Sequence, residues 1–342
     1  MISLKMRRIS LALVLSGIIF LSCGGQSDVQ PPVAKTEAKV DTLFGLEMVD
    51  NYYWMRDKEN PEVIQYLKAE NAYTEAKMAH TKELQDSLFI EMKSRIKETD
   101  LSVPVKRGNY YYYSRTEEGK QYKIYCRKEG SLDAGEEVLL DVNALAEGLD
   151  YYYLGVYEIS PDHKLLAYAA DTSGNERYSI YIKDLETGEL RSDVVHNAGR
   201  SFEWANDNRT FFYNISDDAW RSYQIYKHRL GENAENDDMI FQEDDDSYDV
   251  WLYKSKDDRY IFMHTGNQTT SEVYFLNANY PTRDFKVIQP RTEDVEYWAY
   301  HHGGYFYIVT NENALNYKLM RTSIFRPQIS NWQEVIAHRD SV

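Results

Sequence analysis

The sequence predicts a mainly β chain: an incomplete β-propeller of about five blades, preceded by a helical segment. Three observations predict it. A turn-and-strand unit recurs as S-P-D-H-K-L-L-A-Y from Ser160, A-N-D-N-R-T-F-F-Y from Ala205 and S-K-D-D-R-Y-I-F-M from Ser255, at spacings of 45 and 50 residues. Each copy sets an Asp (Asp162, Asp207, Asp257) two residues before a basic residue and then runs into an apolar strand and a second strand. A period of that length with several short strands per unit is the signature of a propeller blade. The second observation is composition: 30 Tyr and 14% aromatic residues suit the pleated surface of strands and exclude a disordered chain. The third is a change of period upstream, where apolar residues recur at helical spacing.

In chain order, residues 1–22 carry Lys5, Arg7 and Arg8 and then an apolar run from Ile9 to Leu21, the charged and hydrophobic regions of a secretory signal. The run closes on F-L-S-C-G-G, which resembles a bacterial lipoprotein signal, with Cys23 as the lipidated residue. Ordinary signal cleavage beside an incidental Cys is the plainer alternative. Residues 23–40, rich in Gly, Pro, Gln and Ser, read as a flexible tether. The chain is expected to be exported and membrane-attached through lipid, because its formal charge of −16 does not favour anionic headgroups.

Residues 41–100 form the helical segment. Asn60 is a plausible N-cap with Pro61 at the first helical position and Glu62 at the positive end of the dipole. Ile64, Leu67 and Ala72, then Leu84, Leu88, Met92 and Ile96, recur at helical steps in one long helix or two shorter ones. Such an apolar stripe needs a surface to cover it. Residues 101–342 form the partial propeller. It opens on a hairpin of N-Y-Y-Y-Y-S-R (109–115) and Q-Y-K-I-Y-C-R-K (121–128) around Gly119, and a weaker repeat surrounds G-G-Y-F-Y-I-V-T from Gly303. The recurrent Asp and Gly residues are read as turn chemistry.

The acidic balance, 55 Asp+Glu against 39 Lys+Arg, argues against a nucleic-acid partner. Two Cys and no H-E-x-x-H leave no Cys-rich or zinc-peptidase site, and no nucleotide loop occurs, so no cofactor is expected. Cys126, in a strand-like run, reads as a buried small hydrophobe. Glu243, Asp244, Asp245 and Asp246 form an anionic run that is either a solvated loop between blades or a rim that attracts cationic peptides. His301 and His302 precede a strand and face solvent or a neighbouring blade.

The runs V-D-N-Y-Y-W-M-R-D from Val49 and N-P-E-V-I-Q-Y-L-K-A-E-N-A-Y from Asn60 carry a resemblance to a known family. It continues through K-S-R-I-K-E-T-D-L-S-V-P, G-K-Q-Y-K-I-Y-C-R-K, S-P-D-H-K-L-L-A-Y-A-A-D-T-S-G-N-E and T-N-E-N-A-L-N-Y-K-L. Together these resemble the amino-terminal part of the prolyl oligopeptidase family of serine peptidases, in its oligopeptidase B (protease II) branch. The resemblance implies a seven-bladed propeller that restricts a carboxy-terminal α/β-hydrolase domain to short peptides, with cleavage after Lys or Arg. This sequence supplies about five of those blades and no hydrolase domain. It contains no G-x-S-x-G, so no catalytic Ser, Asp or His is assigned. The chain is therefore read as a fragment of such a peptidase, expected to be inactive alone, with the catalytic half either a continuation of the same coding sequence or a separate-chain partner. The rival reading is a non-enzymatic, lipid-anchored propeller that binds peptides or proteins.

Overall fold

The computed structural model describes residues 29–341; the leader and Cys23 lie outside the described residues. The chain divides into two units, parting between Lys97 and Glu98.

The first unit opens with a two-stranded hairpin, Lys39–Leu43 against Leu46–Asp50, turned by Phe44 and Gly45 at φ 52° and 79°. Sequence reading gave no sign of it: both strands are exposed on both faces, so no buried stripe marks them. Within the span read as a tether, the Lys35 carbonyl accepts from Trp54 Nε1 (2.9 Å) and Lys39 already belongs to a strand. Helix α1 (Pro61–Met78) begins as its sequence dictates, with the Asn60 side chain accepting from the Glu62 amide at 2.9 Å. A 3-10 turn at Ala79–Thr81 separates it from α2 (Lys82–Ser94). On α2, Leu84, Leu88, Phe89, Ile90 and Met92 are all exposed. No helix among the described residues is long and apolar enough to cross a membrane.

The second unit is five antiparallel blades in sequence order. Blade 1 sets Asp100–Leu101 and Val105–Arg107 on Tyr110–Thr116, followed by Ile124–Glu129 and Glu136–Asp141. Pro104, which has no amide hydrogen, lies between the two halves of that first strand. Blade 2 contains Tyr153–Ile159, Leu165–Asp171 and Tyr178–Asp184, and blade 3 contains Thr210–Ser216, Ser222–Arg229 and Asp238–Gln242. One continuous strand, Leu190–Trp204, serves as the last strand of blade 2 and the first of blade 3. It crosses between them at Gly199, where an added Cβ would stand 2.2 Å from the Asn214 side chain. Blade 4 runs Asp249–Lys254, Tyr260–Gly266, Ser271–Asn277 and Lys286–Gln289. Blade 5 runs Tyr297–His302, Tyr305–Thr310, Lys318–Ser323 and Gln333–Ile336.

The second strands of blades 2 to 4 are buried on both faces, and their alternation feeds two cores. Phe211 and Tyr213 enter the layer between blades 2 and 3, while Phe212 enters the layer between blades 3 and 4. Likewise Leu166, Tyr168 and Ala170 pack toward blade 1, and Leu165, Ala167 and Ala169 toward blade 3. This is the physical content of a propeller: no blade has a core of its own, and stability comes from apolar layers between neighbours.

The recurring Asp residues are the turn chemistry that the sequence suggests. Ser160 Oγ donates to Asp162 (2.6 Å) and accepts from the Leu165 amide (2.9 Å), and the Lys164 amide donates to Asp162. Ser255, Asp257 and Tyr260 repeat the arrangement. In the middle copy Ala205 replaces the Ser, and Thr210 instead donates its amide and hydroxyl to Asp207. His163, Asn208 and Asp258 occupy the left-handed position that closes each turn, at φ near 60°.

Candidate functional site

These turns end the first strands of blades 2 to 4 and place charged side chains beside one another. Glu158 and Glu203 each stand two residues before their turn motif, on first strands of adjacent blades. Lys254 ends the first strand of blade 4, Asp258 sits in the turn after it, and Arg107 ends the first strand of blade 1. The five groups interact electrostatically. Lys254 Nζ is tied back to blade 3, donating to the Trp204 carbonyl and to Asn206 Oδ1, each at 2.9 Å.

Burial pushes the Glu203 carboxyl up to about 8, repulsion from Glu158 and Asp258 adds to the shift, and Lys254 and Arg107 oppose it. Burial also raises Glu158. Lys254 is lowered, because burial outweighs the attraction of its acidic neighbours. Near neutral pH Glu203 is therefore largely a neutral acid in a cluster of three carboxyls and two bases. A cationic group arriving there would pull Glu203 back toward its ionised form and release a proton. Such an arrangement can respond to an approaching charge, and none of its five groups is a hydroxyl or thiol nucleophile.

A raised carboxyl favours the folded state while it stays protonated. That contribution is present below the ordinary value of 4.5 and lost as pH rises through about 8. Glu203→Gln should therefore match the parent near pH 5 and exceed it in urea resistance above pH 8. We expect about 1–2 kcal/mol, allowing for the solvent around a half-buried group. Equal urea midpoints for the two proteins across that range would exclude the raised carboxyl.

At the other end of the same first strands lies a groove of about 410 Å3, lined by Tyr178, Trp220, Trp251, Glu176 and Asp249 among others. Its mixture of aromatic faces and carboxylates suits peptide side chains.

Only part of the acidic run lies at the surface. Glu243 is buried, accepting from Thr265 Oγ1 (2.7 Å) and pairing with Arg291, while Asp244, Asp245 and Asp246 are exposed. Arg221 gathers the Glu243, Asp245 and Tyr248 carbonyls, which shapes the loop between blades 3 and 4. His301 is buried against the neighbouring blade, with Nδ1 2.8 Å from Asp257 Oδ2, whereas His302 is exposed. Cys126 is fully buried and its thiol is pushed up to about 11, mainly by burial. No group of three metal-ligating side chains occurs among the described residues.

Sequence reading missed Glu158, Glu203, Lys254, Asp258 and Arg107. One signal was available: the first two copies of the repeat carry a Glu at the same offset before the turn.

The family model described as the prolyl oligopeptidase N-terminal β-propeller domain matches residues 31–342. Among curated proteins, a dipeptidyl aminopeptidase BI from Pseudoxanthomonas mexicana is 40% identical over 97% of this chain and 48% of its own length. A protease 2 from Moraxella lacunata is 39% identical over 85% of this chain and 43% of its own. Oligopeptidase B from Leishmania major superposes with a TM-score of 0.83 at 30% identity, covering 91% of this chain and 46% of that one. Oligopeptidase B from Trypanosoma brucei, solved with covalently bound antipain, gives 0.83 at 27% identity over 92% and 47%. The chain spans about half the length of the curated relatives it matches.

Proposed function

The chain belongs to the prolyl oligopeptidase family, and on that premise we propose that it is the helical and substrate-gating propeller portion of an oligopeptidase B-like serine endopeptidase. The parent reaction is hydrolysis of short peptides after Lys or Arg. The observation that carries the basic preference is the pair of first-strand carboxyls Glu158 and Glu203, which burial holds toward the neutral form and which an arriving cationic side chain would draw toward the ionised one. The exposed carboxylates Asp244, Asp245 and Asp246 add a rim that favours encounter with cationic peptides. The acyl-transfer chemistry belongs to a hydrolase domain, because residues 1–342 contain no nucleophile elbow. The exposed apolar face of α2 is a surface suited to that domain, whether carried on the same or on a separate chain.

A chimera tests this reading: residues 29–341 joined to the carboxy-terminal half of the Moraxella protease 2. We expect it to take a serine-directed fluorophosphonate and to cleave amino-blocked Arg and Lys peptides. Residues 1–342 alone should do neither. The 40% identical relative is named a dipeptidyl aminopeptidase, which favours a second reading. A labelled chimera that cleaves only dipeptides from free amino termini would replace the endopeptidase with that exopeptidase.

We also place the chain at a bacterial membrane, exported and anchored through Cys23. Metabolic labelling with a fatty-acid analogue should mark the parent, and Cys23→Ser should abolish the label. Equal labelling of both would remove the anchor.

A further inference from the structure

We infer that a groove at the junction of blades 2 and 3 is a binding site for a phosphate-bearing ligand, held by Arg191, Arg209 and Arg229. The groove encloses about 450 Å3. Its three guanidinium groups come from separate places: the blade 2 half of the long shared strand, the first turn of blade 3, and the end of that blade's third strand. In a chain with 55 acidic against 39 basic residues, such convergence on one concavity runs against the overall charge.

Those charges are weakly neutralised. No described residue pairs with the Arg209 side chain. Arg229 meets Glu232 at 3.5 Å, but both side chains are more than half exposed and the pair is screened. Arg191 comes no closer than 3.8 Å to Asp193 Oδ2. The other oxygen of that carboxylate already accepts the Gly231 amide and faces His228 Nε2 at 3.4 Å. Asn208 completes the lining: its Oδ1 accepts from the Asp162 amide at 2.9 Å, and its amide nitrogen has no acceptor among the described residues.

The groove therefore presents donors, with Glu232 as its one acidic side chain. Guanidinium forks match the tetrahedral oxygens of a phosphoryl group and form charge-assisted hydrogen bonds to them. The volume leaves room beyond one phosphate, which points to a ligand carrying more than inorganic phosphate. None of this depends on the peptidase reading.

Isothermal titration of the full chain at fixed ionic strength tests the site, with pyrophosphate as the probe and inorganic phosphate and acetate as comparison arms. We expect pyrophosphate to bind at one site per chain, phosphate more weakly, and acetate to give only the sodium chloride blank. Arg209→Ala should weaken pyrophosphate about tenfold, and Arg209→Lys less, because it keeps the charge and loses the fork. The Arg209→Ala/Arg229→Ala double variant should abolish binding. Both side chains are exposed, so circular dichroism should be unchanged. Pyrophosphate heat equal to the blank, or an affinity unchanged in the double variant, would overturn the site. Acetate binding as tightly as pyrophosphate would reassign it to carboxylates and overturn the phosphate class.

Discussion

Replacing His228 with alanine is expected to destabilise the propeller unit by about 3–5 kcal/mol, the usual cost of removing one member of a buried ionic group. The imidazole is fully buried between two carboxylates, with Nδ1 2.7 Å from Asp237 and Nε2 3.4 Å from Asp193. Asp193 belongs to the last strand of blade 2, while His228 and Asp237 belong to blade 3, so the cluster joins the two blades. Tyr213 donates to the second oxygen of Asp237 at 2.8 Å, and Arg191 is the remaining cation near Asp193. Alanine would leave both carboxylates inside without their shared cation. Burial alone would lower the imidazole's pKa, but hydrogen bonding and attraction to Asp237 and Asp193 outweigh it and hold the group above 6.5. Stabilisation from a raised histidine is complete below 6.5 and lost as pH climbs through the folded value. The deficit of His228→Ala, read from urea midpoints, should therefore be larger at pH 6 than at pH 9. His228→Asn, which keeps a donor but no charge, should fall between. A deficit under about 1 kcal/mol at pH 6 would show that the carboxylates find water instead.

What was legible in the sequence follows the range over which each interaction acts. The turns after the first strands were readable because Ser160, Asp162 and Lys164 act within five residues, and the same chemistry recurs at Ser255. The second strands of blades 2 to 4 were readable because both their faces are buried, which leaves an apolar run with no polar alternation. The blade-to-blade ties were not readable. Asp257 reaches His301 44 residues on, and Asn208 reaches back 46 residues to Asp162. The same distance hid Glu158 and Glu203, each of which looks like an ordinary solvent-facing position in its own strand. Their altered acidity arises only when two blades are set side by side. The long strand at Leu190–Trp204 was obscured for another reason: it passes from one sheet to the next without a turn, and Asn197 and Gly199 at the crossing bend a continuous strand instead of ending it.

Tyr297→Phe is expected to cost about 2–4 kcal/mol, more than its single lost oxygen suggests. Tyr297 begins the first strand of blade 5, and its hydroxyl crosses into blade 4. There it accepts from the Val273 amide (2.9 Å) and the Gln289 amide (3.2 Å) and donates to the Gln289 carbonyl. Those groups sit where the Ser271–Asn277 and Lys286–Gln289 strands slip register, between Val273 and Tyr274, so the ladder between those two strands is interrupted at that point. One buried phenol thus completes a bulge in a neighbouring sheet. Phenylalanine would keep the ring, including its edge contact with Trp332 at 5.7 Å, and abandon three backbone groups in a dry place. The backbone of Tyr297 is fixed independently, its amide and carbonyl both bonded to Ser271 Oγ, so the strand itself should stay in position. The loss should then be local. Hydrogen exchange at Val273 and Gln289 should quicken well beyond that of Ile261 or Phe262 in the same blade. Uniform acceleration across blades 4 and 5 would mean instead that the phenol holds the two sheets together, and unchanged exchange at Val273 would mean that water replaces it.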